Sequence, residues 1–525
     1  MTQPPPHPPH GGELPPEAPR QRPPQIWDTR YDQRDPSTVP ASPITAPQGG
    51  PAGFGPAPGA FGPATPGTSD AAGAQGSGGG QGSGGTQGSG GGGKRRKALI
   101  IGLGLLLVAG AGTGGWLLWG RGGNDSPKPK GPPQAVAAKL DWVAALPEED
   151  KKESHPLGPL WFAKDKVAVT TSRAVTAYDG KTGKVAWTIP APDGGYTCKS
   201  SAKPADGVAA VIHGKGPYDC NMVMAVDLAR GRVLWSKELT NDKGLSSSAS
   251  SADITIGQGV ISVADGGDPK VFAIADGSRR KPHDYGCQER GSFTDGSGRL
   301  TIAQCQAFGR IYVMNVDPRT GNENWIWKVP DGIKVKNVLS VKPAVLVVGR
   351  ENDNDPSDLA SLDENGRLKT LISVSAGPYD LSDCTFGELA SCRMAVVDGN
   401  TVYLSTAGKE YTNDGANPNA VVAIDLTTGK QRWSTTLSGN RSNRPVTMRD
   451  GRLLVYQQAT KDESGKLLSL DPADGKAADF MRLPQESNER EYDIARRGIA
   501  YFHDDHFYVA VMEGMTGSTM MMAFH

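Results

Sequence analysis

AVTAYDGKTGKVAW at 174–187, MAVDLARGRVLW at 224–235, VMNVDPRTGNENW at 313–325 and VVAIDLTTGKQRW at 421–433 are four versions of one phrase. Weaker copies are VFAIADGS at 271–278, LASLDENGRL at 359–368 and LLSLDPADGK at 467–476. Each part of the phrase has a mechanical reason. An apolar run of about four residues reads as a strand buried on both faces. The aspartate that ends it (Asp179, Asp227, Asp317, Asp363, Asp425, Asp471) carries a carboxylate able to accept turn amides. Four residues later comes glycine (Gly183, Gly231, Gly321, Gly429, Gly475), which supplies the positive φ of a tight hairpin. Gly366 arrives one residue early, a shorter turn. The returning strand then carries Trp187, Trp235, Trp325 or Trp433, a wedge placed once per unit at a fixed offset.

With Asp276 included, the aspartates recur at intervals of 48, 49, 41, 46, 62 and 46 residues. That is the length of a four-stranded propeller blade, and further strands such as DGNTVYLSTA and DGRLLVYQQA precede the phrases. Seven phrases set a minimum of seven blades. RRGIAYFHDDHFYVAVM and TMMMAFH outline an eighth whose last strand is missing. AKLDWVAALP at 138–147 can supply it, with Trp142 in the repeat position. A ring joined by strands from both ends of the domain leaves fewer exposed sheet edges. The expected fold is therefore an all-β, eight-bladed propeller of four-stranded blades over 138–525, with seven blades as the alternative.

On these residues the chain resembles the PQQ-binding-like propeller repeat family, whose pattern is Ala-x-Asp-x-x-Thr-Gly-x-x-x-Trp. The resemblance spans most of 138–525, and four copies are nearly full. It implies a fold more than a function, because such propellers serve as dehydrogenases, assembly scaffolds and sensor ectodomains. The quinoprotein dehydrogenases of the family use a pair of adjacent cysteines, a calcium ion and a catalytic aspartate near the ring axis. This sequence has no adjacent cysteine pair, and its repeat aspartates are needed at hairpins. PQQ and calcium therefore enter only under an alternative reading, an extracytoplasmic quinone-dependent oxidoreductase or cofactor carrier. The primary reading has no cofactor and no catalytic residue.

Two other clusters invite a metal. His503-Asp504-Asp505-His506 lies between GIAYF and FYVAV, so it reads as a hairpin turn. In the run 351–358, Asp353, Asp355 and Ser357 have calcium-loop spacing, with Glu364 as a distant candidate. Yet Asp358 stands where glycine is needed, so an acidic inter-strand loop is the expectation. No GxSxG, Walker loop, HExxH or dinucleotide fingerprint occurs.

The six cysteines, Cys198, Cys220, Cys287, Cys305, Cys384 and Cys392, form sequential pairs 22, 18 and 8 residues apart. None has zinc-ligand CxxC spacing. An even count on one side of an apolar segment fits disulfides in an oxidising compartment, although spacing leaves the connectivity open.

That apolar segment is ALIIGLGLLLVAGAGTGGWLLWG at 98–120. Its 23 uncharged residues span about 34 Å as a helix, enough for a hydrocarbon core of about 30 Å. Lys94, Arg95, Arg96 and Lys97 abut it on one side, and Trp116 and Trp119 mark the other. The positive run places the tail in the cytoplasm and the propeller outside. A cleaved signal peptide fits poorly, because the run is long and starts far from the first residue. Residues 1–93 are a Pro/Gly/Ser-rich disordered tail with one aromatic patch, Gln25–Tyr31, and 121–137 form a short linker. Lys plus Arg and Asp plus Glu both number 56, which argues against a nucleic-acid partner.

The layout is that of a single-pass membrane receptor or assembly platform. Its propeller would offer inter-strand loops, above all 351–358 and 407–419, to a protein or glycan.

Overall fold

The computed structural model describes residues 135–525 apart from 153–154, 241–248, 250–251, 266–268, 281–285, 296–297, 306–308, 318–319, 321, 354, 382–383, 385–391, 393, 409–416, 496–497 and 514–517. The expected tail, basic run and apolar segment therefore lie outside the described residues, as does most of the linker.

Eight sheets follow one another, each built on four antiparallel strands that run in sequence order in the first seven. Blade one is Trp161–Ala163, Lys166–Thr170, Ala174–Asp179 and Val185–Pro190. Blades two to seven begin at Tyr196, Asp253, Cys287, Ile333, Ala395 and Asn443. Blade eight is Gly498–His503, His506–Val511, Thr519–Phe524 and, from the other end of the domain, Leu140–Ala145. The closing strand pairs Trp142 with Ala523 and Val143 with Met522, and Lys139 and His525 exchange two backbone hydrogen bonds beyond it. The eighth blade is thus completed as the sequence suggests. First strands of neighbouring blades touch, so they form the inner wall of the ring.

Two features depart from the sequence reading. Val136–Ala137, read as linker, forms a fifth, parallel strand on the outer edge of blade seven, against Met481 and Arg482. An α-helix, Asn488–Ala495, stands between blades seven and eight where only strands and loops were expected.

The repeat phrase behaves as its chemistry requires. Asp179 accepts the Thr182 amide at 2.8 Å and the Thr182 hydroxyl at 2.7 Å. Asp425 accepts the Thr427 and Thr428 amides, and the hydrogen bond from Arg432 is the main cause that pulls its carboxyl down to about 2. Gly183, Gly231, Gly429 and Gly475 have φ between 64° and 72° and donate back to the aspartate carbonyl.

The wedge is specific. A Cβ on Gly183 would meet the Trp142 ring at 2.4 Å, and one on Gly231 the Trp187 ring at 2.2 Å. Gly366 and Gly475 face Trp325 and Trp433 in the same way. Each tryptophan packs flat on the turn of the next blade, and only glycine leaves room for it. Three of them also donate through Nε1 to that turn: Trp142 to Gly180, Trp235 to Ile274 and Trp433 to Pro472. Blade five carries Thr370 instead, whose hydroxyl donates to the Thr427 carbonyl at 2.7 Å beside Gly429. Gly321 lies outside the described residues. The second and third strands, such as Val208–Gly214 and Lys466–Leu470, are buried almost throughout and fill the space between blades.

Candidate binding surface

Strand direction alternates within each blade, so its loops sort onto two faces. The turns joining first to second and third to fourth strands share one face. The loops joining second to third strands, and the connectors between blades, share the other. The first face is built of tight turns. His503–His506 belongs there: His503 pairs with His506, and Asp504 and Asp505 sit at the tip with φ of 45° and 63°. This is a two-residue hairpin, as the sequence reading holds. His506 and His525 face Asp141 at the closing seam. Among the described residues no group of three or more His, Cys, Asp or Glu side chains is arranged to hold a metal ion.

The second face carries the insertions and all three disulfides. Cys198–Cys220, Cys287–Cys305 and Cys384–Cys392 are the pairs formed, each between sequence neighbours. Cys287 and Cys305 oppose each other in strand register. Every cysteine is in a bridge, and none of the bridges joins adjacent residues. The Cys198–Cys220 bridge closes a 22-residue loop. Its loss through Cys198→Ala/Cys220→Ala is expected to cost about 3 kcal/mol, read as a lower urea midpoint at unchanged slope.

Over blades five to eight the insertions are stitched to one another. In blade five, Ser357 donates to Val348 at 2.8 Å, and its carbonyl accepts from Val374 and Ser375. Asp355 donates its amide to the Asp353 carboxylate, and Lys336 reaches the Asp353 carbonyl from the inner strand. Asp353 and Glu364 stand at opposite ends of the strand Asp358–Leu362, roughly 16 Å apart at about 3.3 Å per residue. Glu364 therefore does not join Asp353, Asp355 and Ser357.

Further along, Tyr379 bridges to Thr406, and Asp380 donates to Ser405. The connector holding the Cys384–Cys392 bridge thus lies against the stem of the 407–419 loop, whose middle, 409–416, is outside the described residues. The other side of that stem is tied to blade seven. Asn443 donates its amide to Asn419 at 2.8 Å and its side chain to the Asn419 carbonyl at 3.0 Å. Ser442 and Asn417 exchange two more hydrogen bonds. Buried Arg441 then reaches the carbonyls of Glu463 and Ser464 in the next loop.

That loop, 458–465, is held by the helix Asn488–Ala495. Asn488 donates to Lys461, and Gln458 to Ala495. Glu491 is fully buried and accepts the Tyr456 hydroxyl at 2.6 Å and the Gly465 amide at 3.0 Å. Burial pushes its carboxyl up to about 7. The sequence reading missed Arg441, Asn443 and Glu491. None belongs to a repeat, and apart from the Asn443 bond to the Arg441 carbonyl their side-chain partners lie 14 to 35 residues away.

A family model described as outer membrane protein assembly factor BamB matches the chain over residues 134–340 and 309–510. Among solved structures, the chain is similar to BamB from Moraxella catarrhalis, with 16% identity, 74% of this chain and 97% of that chain covered, and a TM-score of 0.42. It is also similar to Hsv2 from Kluyveromyces lactis, with 11% identity, 60% and 93% covered, and a TM-score of 0.36. No curated protein matches it.

Proposed function

We propose an assembly role from the premise that this chain belongs to the family of the outer membrane protein assembly factor BamB, whose members are protein-binding β-propellers. In this reading the chain is a scaffold without catalysis. The helix at 98–120 holds the propeller outside the cytoplasm, and the insertion face binds a protein partner.

The observation that carries the reading is the stitched surface over blades five to eight. Loops that pass hydrogen bonds from one blade to the next form one pre-organised platform, and pre-organisation lowers the ordering cost of association. Apart from buried Asp358 and Glu491, the loops and connectors of that surface (351–358, 376–394, 407–419, 458–465 and 483–497) contain thirteen acidic and six basic residues, in a chain that is neutral overall. A partner presenting basic groups suits it, with an association rate that falls as salt rises.

Photo-crosslinking side chains placed in the full-length protein in intact cells test this. Positions 355, 461 and 485 on the insertion face are expected to capture one shared protein. Positions 181, 428 and 474 on the tight-turn face are expected to capture none. Capture from the tight-turn positions alone would overturn the choice of face. The anchored orientation is checked separately: a cysteine introduced in the tail should react with an impermeant maleimide only after the membrane is opened.

A further inference from the structure

We propose that the helix Asn488–Ala495 is a proton-responsive latch on the insertion face, closed onto the loop 458–465 through Glu491 and loosened when that carboxyl loses its proton. This goes beyond the protein-binding reading and does not rest on it.

The geometry is that of a single clasp. Glu491 projects from the helix into a pocket formed by Tyr456 at the end of a blade-seven strand and Gly465 at the end of the loop. Both Glu491 oxygens lie within hydrogen-bond reach of the Gly465 amide, at 3.0 and 3.1 Å. A Cβ on Gly465 would stand 2.0 Å from the Glu491 oxygen, so glycine is what lets the backbone approach. Beneath the pocket the Tyr456 ring packs on Phe507 of blade eight, with centroids 5.0 Å apart. The site is apolar on that side.

The charges around it offer little compensation. Among the described residues Arg441 is the charged group that acts on Glu491 in the direction of ionisation, and its guanidinium is already committed to the carbonyls of Glu463 and Ser464 and to the Glu463 carboxylate at 3.6 Å. On the loop, Lys461, Asp462 and Glu463 are exposed, as are Glu489, Arg490 and Asp493 on the helix, where Tyr492 is half-buried. On the blade-eight strands, Tyr501, His503 and Tyr508 pack around Phe162, and His506 faces Asp141. Burial is the largest cause that raises the Glu491 carboxyl to about 7, and Tyr456 is raised well above its usual range by burial and then by Glu491.

The sign follows. A carboxyl whose value rises on closing favours the closed state fully below its open-state value, near 4.5. That advantage shrinks as pH rises from there towards 7 and is gone above it. The latch is tight in mild acid and loose in mild alkali.

Hydrogen exchange of the full-length protein in detergent tests this, corrected for intrinsic exchange, with the strand Ala420–Asp425 as the internal reference. Amides of 458–465 and 488–495 are expected to open roughly 30-fold more often at pH 8 than at pH 5.5, given a shift of about 2.5 units. Glu491→Gln keeps the acceptor for Tyr456 and Gly465 and should abolish that dependence, leaving both segments protected at pH 8. Tyr456→Phe removes a hydroxyl that favours ionisation, so the midpoint should move to higher pH. Equal pH dependence in wild type and Glu491→Gln, or opening that decreases from pH 5.5 to 8, would overturn the proposal. If Glu491→Gln fails to fold, the direction of the Tyr456→Phe shift decides alone: a midpoint that stays or falls sinks the latch.

Discussion

Deleting residues 136–146 from the full chain is expected to abolish cooperative unfolding of the propeller. These residues hold the closing strand, which pairs with the last strand of blade eight. Without it the strand Thr519–Phe524, buried through Met520–Phe524, presents an unpaired edge. Trp142 and Leu146 leave the core, the Trp142 hydrogen bond to Gly180 is lost, and so is the contact of its ring with Gly183. At about 1.5–3 kcal/mol per large apolar side chain, with the exposed partner surface counted, the loss is roughly 8–10 kcal/mol. That is comparable to the whole stability of a typical domain. Urea titration followed by tryptophan fluorescence should show a broad, shallow transition and a soluble fraction that falls on concentration, as exposed edges associate. A sharp transition within a few tenths of molar of the wild-type midpoint would mean that the ring holds without its closing strand.

The second large effect belongs to the tryptophan docks, and a graded series separates its parts. Trp235→Ala empties a buried site between blades two and three and should cost about 3–5 kcal/mol. Trp235→Phe keeps most of the ring but loses the 2.8 Å bond to the Ile274 carbonyl, which is left buried, for about 1–2 kcal/mol beyond the change in ring volume. Trp187→Phe should lack that hydrogen-bond component, because the Trp187 Nε1 has no hydrogen-bond partner. On the glycine side, Gly231→Ala meets both the left-handed backbone and the Trp187 ring. Gly207→Ala meets the backbone alone, since nothing lies within 4 Å of its would-be Cβ. Gly207→Ala should cost about 1 kcal/mol and Gly231→Ala clearly more, about 3 kcal/mol or above. Equal costs for the two would show that turn strain, and not tryptophan docking, is what the repeat glycine serves.

Glycine, aspartate and tryptophan recur in the phrase because a hairpin, its cap and its wedge act over a dozen residues. A signal that local, copied seven times, can be read without coordinates. So could the closing strand, since Trp142 keeps the repeat position when its blade is split between the two ends of the domain. The disulfide partners were not fixed by spacing, which left the connectivity open until the structure joined sequence neighbours. The blade geometry decides it, bringing together cysteines 8 to 22 residues apart within reach of a bridge.

The helix Asn488–Ala495 was not legible. Eight residues lie below the length at which helical periodicity or propensity speaks, and such a helix exists through what it packs against. Neither was the substitution of Thr370 for tryptophan at Gly429, because a threonine in a strand carries no mark of a dock.

The chain's own order of residues determined the blade, its repetition and its closure, because each depends on contacts within a hairpin or between one hairpin and the next. Only the tertiary structure decided that the insertions share one face and are stitched into a single surface, and that Glu491 is buried. Those facts arise from groups far apart in the chain meeting where strand direction, not sequence pattern, brings them.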